Sequence, residues 1–263
     1  MKQRVITGLL GGAIFLTFLL WGGVAYSALL LLMALVGLFE FNRMNRLKPV
    51  TIVSLLAYIG LILLVFPWGV YSEWLPNPTS IIWVTLFLLF AVTVVSKNKF
   101  HLDHIALSFI GVVYIGIGFQ YMLTTRLADN GLYWAALVFA CTILTDTGAY
   151  FTGKFFGRTK LWPSISPNKT VEGALGGIAV SILVGIGFSL YASDLLSIGQ
   201  AVLIGASVAV VGQMGDLIQS AYKRIRGVKD TGSIFPGHGG VLDRVDSWLI
   251  VFPFVHLLSL LPQ

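Results

Sequence analysis

A charged, glycine-rich segment close to the end of the chain carries the residue types most suited to chemistry. Residues 220–246 read SAYKRIRGVKDTGSIFPGHGGVLDRVD, whereas most of the sequence is apolar. The run from Pro236 to Gly240 specifies a tight backbone turn, because glycine adopts positive φ angles without steric cost. Asp243 and Asp246 supply two carboxylates, the ligand type that hard cations prefer. We therefore expect the chemistry of this protein to centre on this segment.

The polar residues before this segment are spaced as on a helix. Gln213, Asp216, Ser220 and Lys223 follow at steps of three, four and three, which places all four on one helical face. A helix that starts just before the last apolar run would likewise put Asp243 and Asp246 on one face, near its positive dipole end. Helix capping is the other ordinary role of aspartate at such a position. We favour a metal site, because two carboxylates share the face.

The basic residues of the segment allow two interpretations. Lys223, Arg224, Arg226 and Lys229 could anchor the chain to anionic lipid head groups, as juxtamembrane basic clusters often do. They could also contact a substrate with several phosphates, since lysine and arginine neutralise phosphate oxygens while glycine lets backbone N–H groups approach them. The mixture of bases, carboxylates and glycine turns favours substrate contact, and the anchoring role stays open.

The elements that position these residues are predicted to be membrane helices. Hydrophobic residues make up 57% of the 263 residues and charged residues 11%, far below the roughly 25% of soluble domains. A spanning helix needs about 20 apolar residues. Charge-free stretches predict nine spans: two within 5–39, separated by a turn at 21–27, and one each at 49–72, 74–96, 105–125, 130–145, 173–193, 195–215 and 247–263. Cys141 is the single cysteine, so no intrachain disulfide forms.

The distribution of positive charge predicts the orientation. With the N-terminus in the cytoplasm, 16 of the 17 lysine and arginine residues fall on the inner side and Arg126 on the outer side. The C-terminus is then outside. The net charge of +6 is explained by topology, so we expect no nucleic-acid partner. Ionisable residues at membrane depth are costly and usually functional; the candidates are Asp146, Glu172, Asp216, Asp243, Asp246 and, with less support, Glu40.

Several motifs together resemble the phosphatidate cytidylyltransferases, also called CDP-diacylglycerol synthases. They are Ser220-x-x-Lys223-Arg224, Lys229-Asp230, Pro236-Gly-His-Gly-Gly240, Asp243-Arg-x-Asp246, Ser166-Pro-Asn-Lys-Thr-Val-Glu-Gly173 and Asp146-x-x-Ala-Tyr150-x-x-Gly153. The resemblance implies transfer of CMP from CTP to phosphatidic acid with magnesium and, in some members, a monovalent cation such as potassium. It also implies an all-α polytopic membrane protein, a homodimer, and a plasma-membrane location with the active site facing the cytoplasm. We expect one helical domain over 1–263, with N-terminal spans at about 5–125 and the catalytic part at about 130–263.

The resemblance also assigns roles to individual residues. It implies a metal site formed by Asp216, Asp243 and Asp246. Catalytic contacts, chiefly to phosphates, are implied for Lys223, Arg224, Lys229, Asp230, His238, Arg244 and Asp246. Binding of CTP or of the phosphatidate head group is implied for Asp146, Tyr150, Lys169, Thr170, Glu172, Gly237, Gly239 and Gly240.

Three other functions compete with this interpretation. A CTP-dependent lipid or polyprenol kinase would need the same nucleotide and metal but would transfer the γ-phosphate. A CDP-alcohol phosphatidyltransferase is disfavoured, because the sequence holds no D-G-x-x-A-R segment followed by spaced aspartates. A cation transporter would carry carboxylates through the bilayer depth, whereas here they cluster with basic residues at one interface.

Overall fold

The computed structural model describes residues 2–67, 77–235, 237 and 239–261. The helices are α1 Lys2–Trp21, α2 Gly23–Met44, α3 Ile52–Val65, α4 Pro78–Val95, α5 Leu102–Leu127, α6 Gly131–Phe156, α7 Val171–Tyr191, α8 Ile198–Ile225, α9 Leu242–Val245 and α10 Trp248–Leu257. Strands β1 Lys160–Trp162 and β2 Ser166–Thr170 form an antiparallel hairpin. The predicted all-α class is confirmed, with this hairpin as a small addition.

The apolar helices identify a multi-pass membrane protein. Within the described residues, six helices are long and apolar enough to cross a membrane: α2, α4, α5, α6, α7 and α8. Shorter apolar helices cover Thr7–Trp21, Ile52–Val65 and Trp248–Leu257. The count of nine spans and the orientation of the termini stay predictions. The predicted spans at 49–72 and 74–96 reach into residues 68–76, which lie outside the described residues.

Two helices extend well beyond the spans predicted for them. The charge-free criterion ends spans at 145 and 215, but α6 continues to Phe156 and α8 to Ile225. Charged side chains do not interrupt backbone hydrogen bonding, so a helix continues past the apolar part of its sequence. Asp146 and Tyr150 therefore lie on α6, and Asp216, Ser220 and Lys223 lie on α8, as their spacing predicts.

The chain forms two compact units. Unit 1 contains residues 1–127 and 228–244, so the loop before α9 belongs with the N-terminal helices. In its core, α2 approaches α5 closely: a Cβ added at Gly111 would lie 2.9 Å from the ring of Phe41. Arg126 on α5 donates from Nε to the carbonyl of Leu19 at 2.8 Å and so satisfies a free acceptor at the end of α1.

Unit 2 contains residues 128–227 and 245–263. Helix α7 packs against α6 through the small residues Gly173, Gly176 and Gly177. A Cβ at Gly177 would lie 2.8 Å from the backbone carbonyl of Thr145, and one at Gly176 would collide with Thr152. Close backbone approach through glycine is typical of membrane helices. These contacts fix α7 against the part of α6 that carries Asp146 and Tyr150.

Candidate active site

Asp216 on α8 is the centre of a charged cluster in unit 2. Its Oδ2 forms an ion pair with Nζ of Lys169, which lies on β2 of the hairpin. Its Oδ1 accepts a hydrogen bond from Ser220 Oγ at 3.5 Å, one turn further along α8. The helix is held in register by Gln213, whose Nε2 donates to the carbonyl of Ala174 on α7 at 3.3 Å. The predicted polar face of α8 is confirmed, and three of its four residues, Asp216, Ser220 and Lys223, lie in this cluster.

Two further carboxylates interact electrostatically with Asp216. Asp146 on α6 interacts with both Asp216 and Lys169. The pKa of the Asp246 carboxyl is raised, first by burial and then by the negative charge of Asp216, while the backbone N–H of Ser247 and the ammonium of Lys223 act in the opposite direction. Three carboxylates and two ammonium groups therefore interact within unit 2, on the C-terminal parts of α6 and α8, on β2 and just before α10. This arrangement leaves excess negative charge that a cation would neutralise.

Asp243 and Asp246 do not share a helical face, contrary to the prediction. Helix α9 ends at Val245 after four residues, and α10 begins at Trp248. Asp246 lies in the intervening turn, where its Oδ1 accepts from the N–H of Ser247 at 2.9 Å. Spacing alone could not locate this break, because a turn of two residues leaves the apolar pattern of α10 unchanged. Asp243 belongs to unit 1 and Asp246 to unit 2.

The hairpin of unit 2 is fixed by two of the predicted binding residues. Thr170 is the N-cap of α7, and its Oγ1 accepts from the N–H of Gly173 at 3.1 Å. The carboxylate of Glu172 accepts from the backbone N–H groups of Arg158 and Thr159 at 3.1 and 3.2 Å. Arg224 on α8 donates from Nε to the carbonyl of Ile165 at 3.4 Å. These contacts hold Lys169 against Asp216, and substrate binding by Thr170 and Glu172 stays a prediction.

Asp243 organises the loop that precedes α9 in unit 1. Its Oδ2 accepts from the backbone N–H of Thr231 at 2.8 Å and from the N–H of Gly240 at 2.9 Å. It also lies 3.0 Å from Thr231 Oγ1, whose single proton it shares with Glu40. The side chain is 8% exposed. Metal-binding carboxylates are themselves held by hydrogen bonds, so these contacts are compatible with the metal role that the resemblance implies.

The glycine turn contains the positive φ angles that its sequence predicts. Gly237 and Gly239 both have φ near +80°, a region that other residues rarely adopt. The N–H of Phe235 donates to the carbonyl of Gly239 at 3.0 Å and closes the turn. A Cβ at Gly239 would also collide with Oδ2 of Asp243. His238 and Pro236 lie outside the described residues, so the predicted role of His238 stays a prediction.

The remaining predicted residues are exposed on their units. Lys229, Asp230 and Arg244 are exposed on unit 1. Tyr150 is 63% exposed on α6, with Nζ of Lys154 6.0 Å from its ring centre. Exposed cations and an exposed aromatic ring are available to a substrate or to lipid head groups. Their assigned roles stay predictions.

Glu40 is a candidate that the sequence supports only weakly and whose partners it does not predict. It lies on α2 and is 2% exposed, yet its carboxylate contacts the loop before α9, about 200 residues later in the chain. A single acid in the apolar part of α2 is costly unless it has partners. Nothing in its spacing indicates that those partners lie in the charged segment.

The donor set fits magnesium bound partly by substrate. Within the described residues, no group of three or more His, Cys, Asp or Glu side chains is close enough to hold a metal ion by itself. Magnesium is usually bound by one or two carboxylates together with substrate phosphates and water. Asp216 and Asp246 provide such carboxylates, and the nearby Asp146 adds negative charge.

Comparison with known proteins shows similarity along nearly the whole chain. The sequence matches the cytidylyltransferase family over residues 2–261. It is 40% identical over 260 residues to a phosphatidate cytidylyltransferase of Staphylococcus haemolyticus, covering 98% of both chains. It is 41% identical over 264 residues to a phosphatidate cytidylyltransferase of Bacillus subtilis, covering 98% of this chain and 97% of the other. Matches of this extent mean that the chain belongs to the cytidylyltransferase family.

Proposed function

We propose that this protein is a phosphatidate cytidylyltransferase, which transfers CMP from CTP to phosphatidic acid and releases pyrophosphate. The observation that carries the proposal is similarity along 98% of the chain to relatives that bear this name. The product is CDP-diacylglycerol, an intermediate of phospholipid biosynthesis. The apolar helices fit a lipid substrate, because its acyl chains can stay in the bilayer during the reaction.

The reaction needs positioning and charge neutralisation more than proton transfer. An oxygen of the phosphatidate head group attacks the α-phosphorus of CTP, and the bond between that phosphorus and the pyrophosphate oxygen breaks. The nucleophile is already an oxyanion, so no general base is required. Negative charge on the α-phosphate and on pyrophosphate must be neutralised. Lys169 and Lys223 lie in the charged cluster of unit 2 and are suited to this role.

Magnesium is the cofactor that this chemistry favours. Asp216 and Asp246 would hold it, and Asp243 is a further ligand by resemblance. Magnesium held there would supply positive charge that offsets the negative charge of the reacting phosphates. A monovalent cation such as potassium is proposed by resemblance alone. The other implied substrate contacts, from Arg224, Lys229, Asp230, Arg244, Gly237 and Gly239, are proposed on the same basis.

Location and assembly are also proposed. The predicted excess of lysine and arginine on one side supports an active site that faces the cytoplasm in a bacterial plasma membrane. The resemblance supports a homodimer. Light scattering of the detergent-solubilised protein would give its mass; a monomer at all concentrations would contradict the dimer.

The decisive assay follows the label of α-labelled CTP in detergent micelles that contain phosphatidic acid and magnesium. We expect labelled CDP-lipid from the native protein and loss of at least about 100-fold in Asp216→Asn. Asp194→Asn is the matched control, because it removes the same charge from an exposed position of unit 2. No labelled lipid from folded native protein would contradict the proposal.

The same preparation separates the competing functions. Label that passes to lipid from γ-labelled but not from α-labelled CTP would identify a lipid kinase. Cation flux in protein-containing vesicles without CTP would identify a transporter. Formation of CDP-lipid does not by itself exclude an additional kinase or transport activity. The α-label assay, the γ-label assay and the flux assay therefore use one batch of protein.

A further inference from the structure

We propose that Glu40 is a positioning residue for catalysis, which holds the backbone of the loop at 231–242 in its working shape. The inference rests on the proposed function, because it assumes that this loop takes part in cytidylyl transfer. Neither the motifs of the charged segment nor the family resemblance assigns a role to this residue. The evidence lies within unit 1, where α2 and the loop pack together.

The carboxylate of Glu40 takes three hydrogen bonds from the loop. Oε1 accepts from the backbone N–H of Val241 at 2.9 Å, and Oε2 accepts from the N–H of Leu242 at 3.0 Å and from Thr231 Oγ1 at 3.0 Å. A buried carboxylate is tolerated only when donors replace its water. The N–H groups at the start of α9 have no acceptor within that helix. The Glu40 carboxylate therefore needs the loop donors, and the N–H groups at the start of α9 need the carboxylate.

Two glycines of the charged segment provide the space for this carboxylate. A Cβ at Gly232 or at Gly240 would collide with oxygen atoms of Glu40. Neither glycine has φ in the left-handed region, in contrast to Gly237 and Gly239. Small size rather than conformational freedom therefore explains glycine at 232 and 240. The resemblance implies that Gly240 binds CTP or the phosphatidate head group, and in the structure its N–H donates to Asp243.

Glu40 is connected to Asp243 through one side chain. Thr231 Oγ1 lies 3.0 Å from Oε2 of Glu40 and 3.0 Å from Oδ2 of Asp243. Asp243 in turn accepts from the N–H of Gly240, next to the Val241 N–H that Glu40 holds. A shift of the Glu40 carboxylate would therefore move Thr231 at one end of the loop, Val241 at the other end, and the Asp243 carboxylate that accepts hydrogen bonds from both ends. Glu40 acts on the reaction through these groups and need not touch substrate.

A double-mutant cycle tests the proposal. Glu40→Ala, Gly240→Ala and the combined variant are assayed for CDP-lipid formation, with kcat and the KM for CTP measured separately. We expect each single change to lower kcat by about ten- to a hundredfold. The combined variant should be no worse than the poorer single variant, because removing the carboxylate leaves room for the new methyl group. Fold losses that multiply would overturn the proposal.

Folding controls separate positioning from stability. Leu38→Ala also truncates a buried side chain of α2, one that packs beside Gly111 rather than on the loop. It should lower the melting temperature in micelles while kcat per folded protein stays near the native value. Glu40→Gln keeps the volume of the side chain but replaces one acceptor with an NH₂ group, so kcat should fall without loss of folded protein. Native kcat in folded Glu40→Gln would overturn the proposal, whereas an inactive native protein would instead contradict the proposed function.

Discussion

Thr231→Val isolates the hydroxyl that links two buried carboxylates. Thr231 is 5% exposed, and its Oγ1 lies 3.0 Å from an oxygen of Glu40 and 3.0 Å from one of Asp243. Valine has almost the same shape but cannot donate, so a carboxylate loses a hydrogen bond. A hydrogen bond to a charged group contributes about 1.5–3 kcal/mol. In a protein of this size about 2–4 °C of melting temperature corresponds to each kcal/mol, which predicts a decrease of about 3–12 °C.

The matched control for this prediction is Thr231→Ser. Serine keeps the hydroxyl and removes one methyl group, a loss of about 0.8 kcal/mol. Both variants keep the backbone N–H that donates to Asp243 at 2.8 Å. Thermal unfolding in micelles, followed by tryptophan fluorescence, and kcat for CDP-lipid formation are the measurements. If the valine variant melts with the serine variant and keeps native kcat, the hydroxyl does not hold the loop.

Three further predictions concern unit 2. Lys169→Ala should lower kcat/KM for CTP by about 100-fold, because it removes the cation paired with Asp216, whereas Lys160→Ala on the exposed β1 strand should change it less than about threefold. Gly177→Ala should destabilise by about 1–3 kcal/mol, since its Cβ would meet a backbone carbonyl at 2.8 Å, whereas Gly187→Ala, with open space around it on the same helix, should be neutral or stabilising in thermal unfolding. Burial raises the pKa of Asp246, so the folded state binds this proton more tightly than the unfolded chain. The stabilising contribution of this proton is complete at acid pH and is lost as pH rises from about 4 through the raised pKa. Melting temperatures measured with a chelator should therefore fall less over this pH window in Asp246→Asn than in the native protein. Parallel pH profiles of the two proteins would contradict the raised pKa.

The sequence predicted the elements and the chemical class of the site because each depends on local information. Apolar length specified the membrane helices, and spacing of three and four residues specified the polar face of α8 that carries Asp216 and Ser220. Glycines at 237 and 239 predicted a tight turn, and both adopt positive φ. Residue spacing could not predict the ion pair between Lys169 and Asp216, because the hairpin register determines which side chain of β2 contacts Asp216.

Long-range contacts explain the parts that the sequence did not predict. Charge-free length predicts spans that end at 145 and 215, and α6 and α8 continue about ten residues further as helices, because helical hydrogen bonding continues past the apolar part of the sequence. For α8, the spacing of residues 213–223 predicts this extension; for α6, no spacing does. The break between α9 and α10 places Asp246 outside the helix that carries Asp243. No glycine or proline at this point of the sequence indicates the break. Glu40 meets its partners across about 200 residues of sequence, and no periodic pattern encodes such a pairing.

The acidic residues form two groups that differ in how many hydrogen-bond donors surround their carboxylates. The two oxygens of Glu40 accept from loop donors, and Oδ2 of Asp243 accepts from two backbone N–H groups and lies near Thr231 Oγ1, so donors of the protein surround these atoms. Asp216 and Asp246 accept fewer hydrogen bonds and repel each other. Together with Asp146 they outnumber the ammonium groups of Lys169 and Lys223 by one, which leaves negative charge that a bound cation would offset. We expect Glu40 to act by fixing where the loop backbone lies, and Asp216 and Asp246, with Asp243 as a further ligand by resemblance, to bind the ion. Removing the Glu40 carboxylate should therefore lower kcat at every magnesium concentration, whereas removing Asp216 or Asp246 should raise the magnesium concentration required for half-maximal rate. A magnesium titration of Glu40→Gln beside Asp246→Asn distinguishes the two groups, and equal shifts in both variants would refute the division.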